Sequence, residues 1–130
     1  MSFDTLFVNP AGRTARGPFV GALIVLLAAV AFYAFLVTGR TAQFCMVVLI
    51  LPGVVLHARR LHDMGLTAWL LIAPGALLLA TAWLHLYDAE SQLVTPVSAV
   101  ALVVTAGFAL WGVLGKGQAG ANRFGEPSPA

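Results

Sequence analysis

Along the chain, apolar positions gather into four long runs separated by short polar breaks: residues 18–37, 42–58, 67–87 and 93–114. None of the runs contains Asp, Glu, Lys or Arg. A helix needs about 20 predominantly apolar residues to cross about 30 Å of hydrocarbon. The pattern therefore predicts an all-α membrane protein with four transmembrane helices. The breaks at 38–41 and 88–92 are short, so consecutive helices are antiparallel neighbours and the expected arrangement is an up-and-down bundle. Residues 1–17 and 115–130 are an N-terminal segment and a C-terminal tail flanking that domain. The first run is too long for the apolar core of a signal peptide, and LVTGRT after it offers no small-x-small cleavage site. It reads as an uncleaved anchor.

Composition sharpens this picture. The 130 residues are 60% hydrophobic and 9% charged, whereas a soluble domain is about a quarter charged. A chain so poor in charge cannot cover its surface in water, and lipid must solvate most of its side chains. A net charge of +2 does not point to nucleic acid, because the basic residues form no extended patch and stand at the ends of the apolar runs. With four spans, Arg13, Arg16, Arg59, Arg60, Lys116 and Arg123 fall on one side; Arg40 falls on the other, beside Asp88 and Glu90. Lys- and Arg-rich connections stay on the cytoplasmic side, so both termini are expected there. Trp69 and Trp111 then lie near the inner interface, Trp83 and Tyr87 near the outer one, where amphipathic rings settle. The fourth run carries small residues at helical spacing, Ser98, Ala101, Thr105, Ala109 and Gly112, which let helices approach closely. Cys45 is the single cysteine, which rules out an intrachain disulfide.

The densest polar stretch is RRLHDMGLTAW, residues 59–69. The second helix can run on through His57–Met64 for about two turns beyond the membrane, with Gly65 in the left-handed position that ends it and Thr67 capping the next helix. Arg59, Arg60 and His62 complement the negative end of the helix dipole. Asp63 opposes that dipole and needs another partner. The candidates are Arg59 or Arg60 one turn back, the N–H groups that open the third span, and Arg13 or Arg16 from the N-terminal segment.

RRLHDMGLTAW resembles the R-R-L-H-D-x-G-x-S-x-W signature of the bacterial "domain of unknown function 805" family of small inner-membrane proteins. GRTARGPF at 12–19 resembles that family's G-R-x-x-R-x-x-F/Y/W approach to the first span, and GANRFGEPSP at 120–129 its closing G-x-N-R-Y/F-G-x-x-P. The three motifs, in order, cover nearly the whole chain. Thr67 stands where the family often has Ser, and Ala68 where it often has Gly. The resemblance implies a multi-pass protein of the bacterial plasma membrane and supplies no reaction. Under the expected threading, all three motifs emerge on one side and gather Arg13, Arg16, Arg59, Arg60, His62, Asp63, Asn122 and Arg123. The Gly- and Pro-containing tail is either loose, as such compositions usually are, or folds back through Asn122 and Arg123 to complete a basic cap.

Pro52-Gly53 and Pro74-Gly75 lie about six residues, roughly 9 Å, inside the cytoplasmic boundary of the second and third spans. Proline removes a helical hydrogen bond and kinks the chain. These paired kinks read as bundle curvature or, if functional, as the opening of a pocket in the inner leaflet suited to an amphipath with an anionic head. His57 and His62 are five apart, on different faces of a helix, whereas zinc pairs on a helix want three or four; no metal, cofactor or catalytic residue is assigned. His85, Asp88 and Glu90 read as interfacial or solvated, and Phe3, Leu6 and Phe7 as a short amphipathic turn on the membrane or against the cap.

The functional expectation is a non-enzymatic membrane protein whose basic cap engages anionic lipid head groups or a membrane protein partner. A homo-oligomer is compatible with it, and nucleic acid is not. The alternatives are a small oligomeric transporter or channel and, behind that, an enzyme acting on a lipid phosphate through His62 or Asp63.

Overall fold

The computed structural model describes residues 3–127; the ends of the two flanking segments, including Ser128 and Pro129 of the closing motif, lie outside the described residues. Helix α1 spans Phe3–Phe7, α2 Arg16–Phe35, α3 Gly39–Asp63, α4 Ile72–Tyr87 and α5 Val94–Leu114. A 3₁₀ turn, Ala68–Leu71, leads into α4. Among the described residues there is no strand, only an isolated bridge between Asn122 and Gly125.

Four helices are long and apolar enough to cross a membrane, and only 17%, 22%, 11% and 11% of their apolar windows are buried, in chain order. Ile24, Val48, Leu79 and Val103 are among the large side chains left exposed. In water that exposure would be ruinous; in hydrocarbon it costs nothing. The chain is thus a multi-pass membrane protein.

Helix α2 starts at Arg16, two residues before the apolar run. Pro18 falls in its first turn, where a missing N–H is not needed. Helix α3 runs from Gly39, at φ +80°, to Asp63 without interruption and carries Pro52 in its interior. Gly65 takes φ +79°, which ends the helix in the left-handed turn expected for it. Thr67 Oγ1 accepts from Trp69 N at 3.3 Å, as its capping role requires. The third span departs from expectation. It opens with the 3₁₀ turn, and Pro74 is the third residue of α4. A proline in that first turn forfeits no α-helical hydrogen bond. At Pro74 the anticipated kink inside a continuous helix is replaced by a change of helix type just before it.

Helices α2 and α3 pack as one hairpin and α4 and α5 as another; each helix pair across the two hairpins packs less extensively than the pair within a hairpin. The core lies mostly at the end that carries the terminal segments, hereafter the basic end. One cluster there is Phe19, Ala22, Leu23 and Leu56, with Leu6, Phe7, Ala109 and Val113 against it. So α1 packs on the basic end of the bundle. The second cluster is Ala58, Leu61 and Leu71, with Met64, Leu66 and Phe108. At the opposite end a tie between α3 and α4 runs through Arg40, which donates to the Leu86 carbonyl at 3.4 Å and sits 5.6 Å from the Tyr87 ring centroid.

Gly112, in the small-residue stripe of α5, is set by Phe19. A Cβ at Gly112 would come within 2.6 Å of Phe19 Cζ, and Phe19 is fully buried. Gly112→Ala is therefore expected to destabilise the protein by about 1–2 kcal/mol, because overpacking outweighs the better helix propensity of alanine. Gly107→Ala, where nothing lies within 4 Å, should leave stability unchanged or slightly raised. Unfolding titrations in mixed micelles compare the two.

Candidate functional site

The site grows from two helix ends. The last carbonyls of α3 and α5 have no helical donors, and both ends carry partial negative charge. Three arginines supply the missing donors, and a fourth ties down the segment before α2. Arg60, in the last turn of α3, donates through Nε to Gly112 O at 2.8 Å and through Nη2 to Gly115 O at 2.7 Å. Arg16, at the start of α2, donates to Leu114 O at 3.1 Å and Gly115 O at 2.8 Å. Arg59 turns the other way, toward the segment before α2. Its Nε donates to Thr14 Oγ1 at 3.0 Å, and its Nη groups donate to the carbonyls of Asn9, Ala11 and Arg13. Thr14 N returns a bond to Arg59 O at 3.1 Å. Gly12, at φ +92°, takes the left-handed turn that lets this segment wrap over the guanidinium.

Asp63 resolves among its candidate partners to two. Arg60 Nη1 lies 2.6 Å from Oδ2, and Arg13 lies 2.9 Å from Oδ1 through Nη2 and 3.0 Å through Nε. Arg59 and the N–H groups that open the third span take no part. Arg13 reaches further. Nη1 donates to Gly120 O at 2.7 Å and Gly125 O at 3.2 Å, and Nη2 to the carbonyls of Gln118 and Asp63. An arginine has five N–H donors, so Arg13 is fully used.

The tail folds back on this cluster. Gln118 N donates to Asp63 O at 2.7 Å. Asn122 Nδ2 donates to His62 O at 3.0 Å and to Gln118 Oε1 at 2.7 Å. Phe124 stacks on His62, with ring centroids 3.9 Å apart and planes 9° from parallel. His62 Nδ1 lies 3.0 Å from Gly12 O; a carbonyl only accepts, so that nitrogen carries the proton. Gly117 has no room for a side chain, since a Cβ there would collide with the Asp63 carboxylate.

Seven of the eight expected residues thus meet: Arg13, Arg16, Arg59, Arg60, His62, Asp63 and Asn122. Arg123 does not join them. It is exposed, its guanidinium 4.7 Å from the Phe124 ring centroid, and it makes no ion pair with Asp63. Sequence reasoning missed Thr14, which is completely buried, together with Gln118 and Phe124. Thr14 and Phe124 sit inside the motifs themselves, in R-T-A-R and N-R-F-G, where aligned charges drew attention away from them. Pro52, Gly53, Pro74 and Gly75 lie away from the cap, deeper in the bundle.

Arg13, Arg59 and Arg60 are 1%, 6% and 1% exposed, against a single carboxylate, Asp63, at 5%. Buried charge is tolerable only when paired and hydrogen-bonded, and here carbonyl dipoles make up what one aspartate cannot. The donors of these three arginines are therefore directed inward. Exposed basic groups remain at Arg16 and Lys116, which border a shallow groove of about 310 Å³ beside the start of α2, with Gln118 and Pro127 on its rim and the Arg60–Asp63 pair at its floor. Among the described residues no group of three or more His, Cys, Asp or Glu is placed to hold a metal.

The pairing has a direct consequence. Asp63→Ala leaves two buried guanidinium groups without their carboxylate and is expected to cost about 3–5 kcal/mol, read by unfolding in mixed micelles. Arg13→Lys keeps the charge but replaces a five-donor fork with one point of donation. Protease cleavage between residues 117 and 125 should accelerate in that variant while its helical circular dichroism is retained.

A family model described as "Protein of unknown function (DUF805)" matches residues 7–126, nearly the whole chain. No curated protein and no solved structure shows significant similarity to it.

Proposed function

We propose, from the premise that the chain belongs to the DUF805 family, that it is a non-enzymatic plasma-membrane protein of bacteria that holds an anionic lipid head group at its basic end. In this reading the basic end faces the cytoplasm, in accord with the placement of six of the seven Lys and Arg residues there. The groove between Arg16 and Lys116 carries the proposal. Two exposed cations flank it, and the N–H groups of the first turn of α2 add the partial positive charge that favours phosphate. In this reading it opens beside the start of α2, where that helix would enter the membrane from the head-group region.

This reading puts the contact away from Arg59 and Arg60. Their guanidinium groups are buried on carbonyls and Asp63, so a phosphate would have to break the cap to reach them. The same engagement argues against acid–base chemistry: the Asp63 carboxylate lies between two guanidiniums, and His62 is held by Gly12 O and Phe124.

Native mass spectrometry of protein released gently from its own membrane tests this. An anionic phospholipid should be retained by the wild type and by Arg123→Gln. It should be lost in the double variant Arg16→Gln/Lys116→Gln, whose affinity should fall roughly thirtyfold at about 1 kcal/mol per basic residue. Equal retention by the double variant, or a stoichiometric protein partner in place of lipid, overturns the proposal.

A further inference from the structure

The groove beside the start of α2 has two walls of different character. One is the start of α2 together with the buried Arg60–Asp63 pair. The other is Lys116, Gly117, Gln118 and Pro127, all from the tail after α5. Lys116 is placed from both sides. Before it, Gly115 O accepts from Arg16 and Arg60; after it, Gln118 N donates to Asp63 O at 2.7 Å. Gly117 passes so close to the Asp63 carboxylate that no Cβ fits between them. The groove therefore exists only while the tail lies against the end of α3.

What holds the tail there is almost wholly polar. Among the described residues from Lys116 to Pro127 none is buried, and past Lys116 Asn122 and Phe124 alone are half-buried. Arg13 donates to Gly120 O at 2.7 Å and Gly125 O at 3.2 Å, Asn122 donates to His62 O at 3.0 Å, and Phe124 stacks on His62. Each such bond replaces one to water, so its net gain is small. Ordering each backbone residue carries an entropic cost of similar size. Segments that bury little apolar surface open locally before the rest of a protein does. The tail is thus the part of the cap whose docking a modest free energy can shift.

We infer that the tail is a strap governed by the groove it completes. An anionic head group seated between Arg16 and Lys116 holds residues 116–127 against α3, and its departure frees them. This rests on the head-group reading above and adds regulation to it. The coupling is one of linkage. A ligand that touches both walls binds the docked form and finds no such site in the released one. It must therefore stabilise docking, and docking must favour the ligand by the same free energy. Release withdraws Phe124 from His62 and the carbonyls of Gln118, Gly120 and Gly125 from Arg13. The surface of the basic end then changes with the lipid bound there.

The test is amide hydrogen exchange of full-length protein in phosphatidylcholine nanodiscs carrying a graded fraction of phosphatidylglycerol. The amide to follow is Gln118 N, whose acceptor is Asp63 O. In wild-type protein, which needs no variant to fold, it should exchange about tenfold more slowly at about ten times the half-saturating phosphatidylglycerol fraction than in phosphatidylcholine alone. Arg16→Gln/Lys116→Gln should lose that slowing in the same discs, which separates it from a general effect of surface charge. Phe124→Ala removes the stack on His62, changes no charge and touches no residue of the groove lining. Its docked fraction in phosphatidylcholine should fall, and its apparent affinity for phosphatidylglycerol should fall in proportion, about threefold for release of roughly two-thirds of the molecules. Saturable phosphatidylglycerol binding without slower exchange at Gln118, or undiminished affinity in Phe124→Ala, overturns the inference and leaves the head-group reading standing. Absence of saturable binding to the wild type overturns both.

Discussion

The carboxylate of Asp63, held between Arg13 and Arg60, is the constraint on which the rest of the molecule hangs. Three guanidinium groups are buried around it, and one carboxylate cannot neutralise three cations. What makes the burial tolerable is geometry. The C-terminal ends of α3 and α5 arrive side by side, each with unsatisfied carbonyls and a partial negative charge. Arginine suits this place as lysine would not, since its fork reaches carbonyls on separate segments at once. Arg13 alone binds residues 63, 118, 120 and 125. A ring of backbone oxygens from four parts of the chain becomes one closed cap.

That constraint also explains how the bundle is packed. Lipid offers helices no hydrophobic reason to associate, so close packing and polar contacts must hold them. Here the polar contacts are concentrated at one end, and both buried clusters lie near them. Away from the cap the hairpins are tied more sparsely, with Arg40 bridging α3 to the end of α4. Between the two hairpins lies a half-open, almost wholly apolar cleft of about 550 Å³.

The spans could be read from the sequence because apolar length is a strict requirement in hydrocarbon and tolerates no charge. The cap residues were also legible, through the clustering of charge at 59–63 and the two arginine-bearing flanks. Asp63 could be flagged as anomalous from the helix dipole alone, yet sequence left its partner open between local and distant arginines. Local spacing favoured Arg59 as much as Arg60; only the direction in which each side chain leaves α3 separates them. The fold of the tail was harder to read. Its Gly and Pro content is that of a loose segment, and what orders it is a set of carbonyls, which every residue has and no sequence pattern marks. Pro74 was misjudged for a related reason, because its effect depends on where α4 begins, and a short 3₁₀ turn moved that boundary.

The cap and the bundle core beneath it are mechanically one object. Arg60 Nε donates to the Gly112 carbonyl, which sets α3 against α5 at close range. That approach leaves no space for a Cβ at Gly112, and the space is taken by Phe19. Phe19 in turn meets His57 edge-on, one turn up α3 from Arg60, so the imidazole cannot rotate freely. Its Nδ1 is anchored at Gly53 O, and its Nε2 is buried. Asp63, Arg60, Gly112, Phe19 and His57 form a continuous series of contacts from the charged surface to the apolar interior. Anything that disturbs Asp63 should therefore be felt at His57 through the seating of Phe19, with no charge travelling between them. The buried arginines, costly as they are, make rigid the end of the bundle in which Phe19 and His57 are seated.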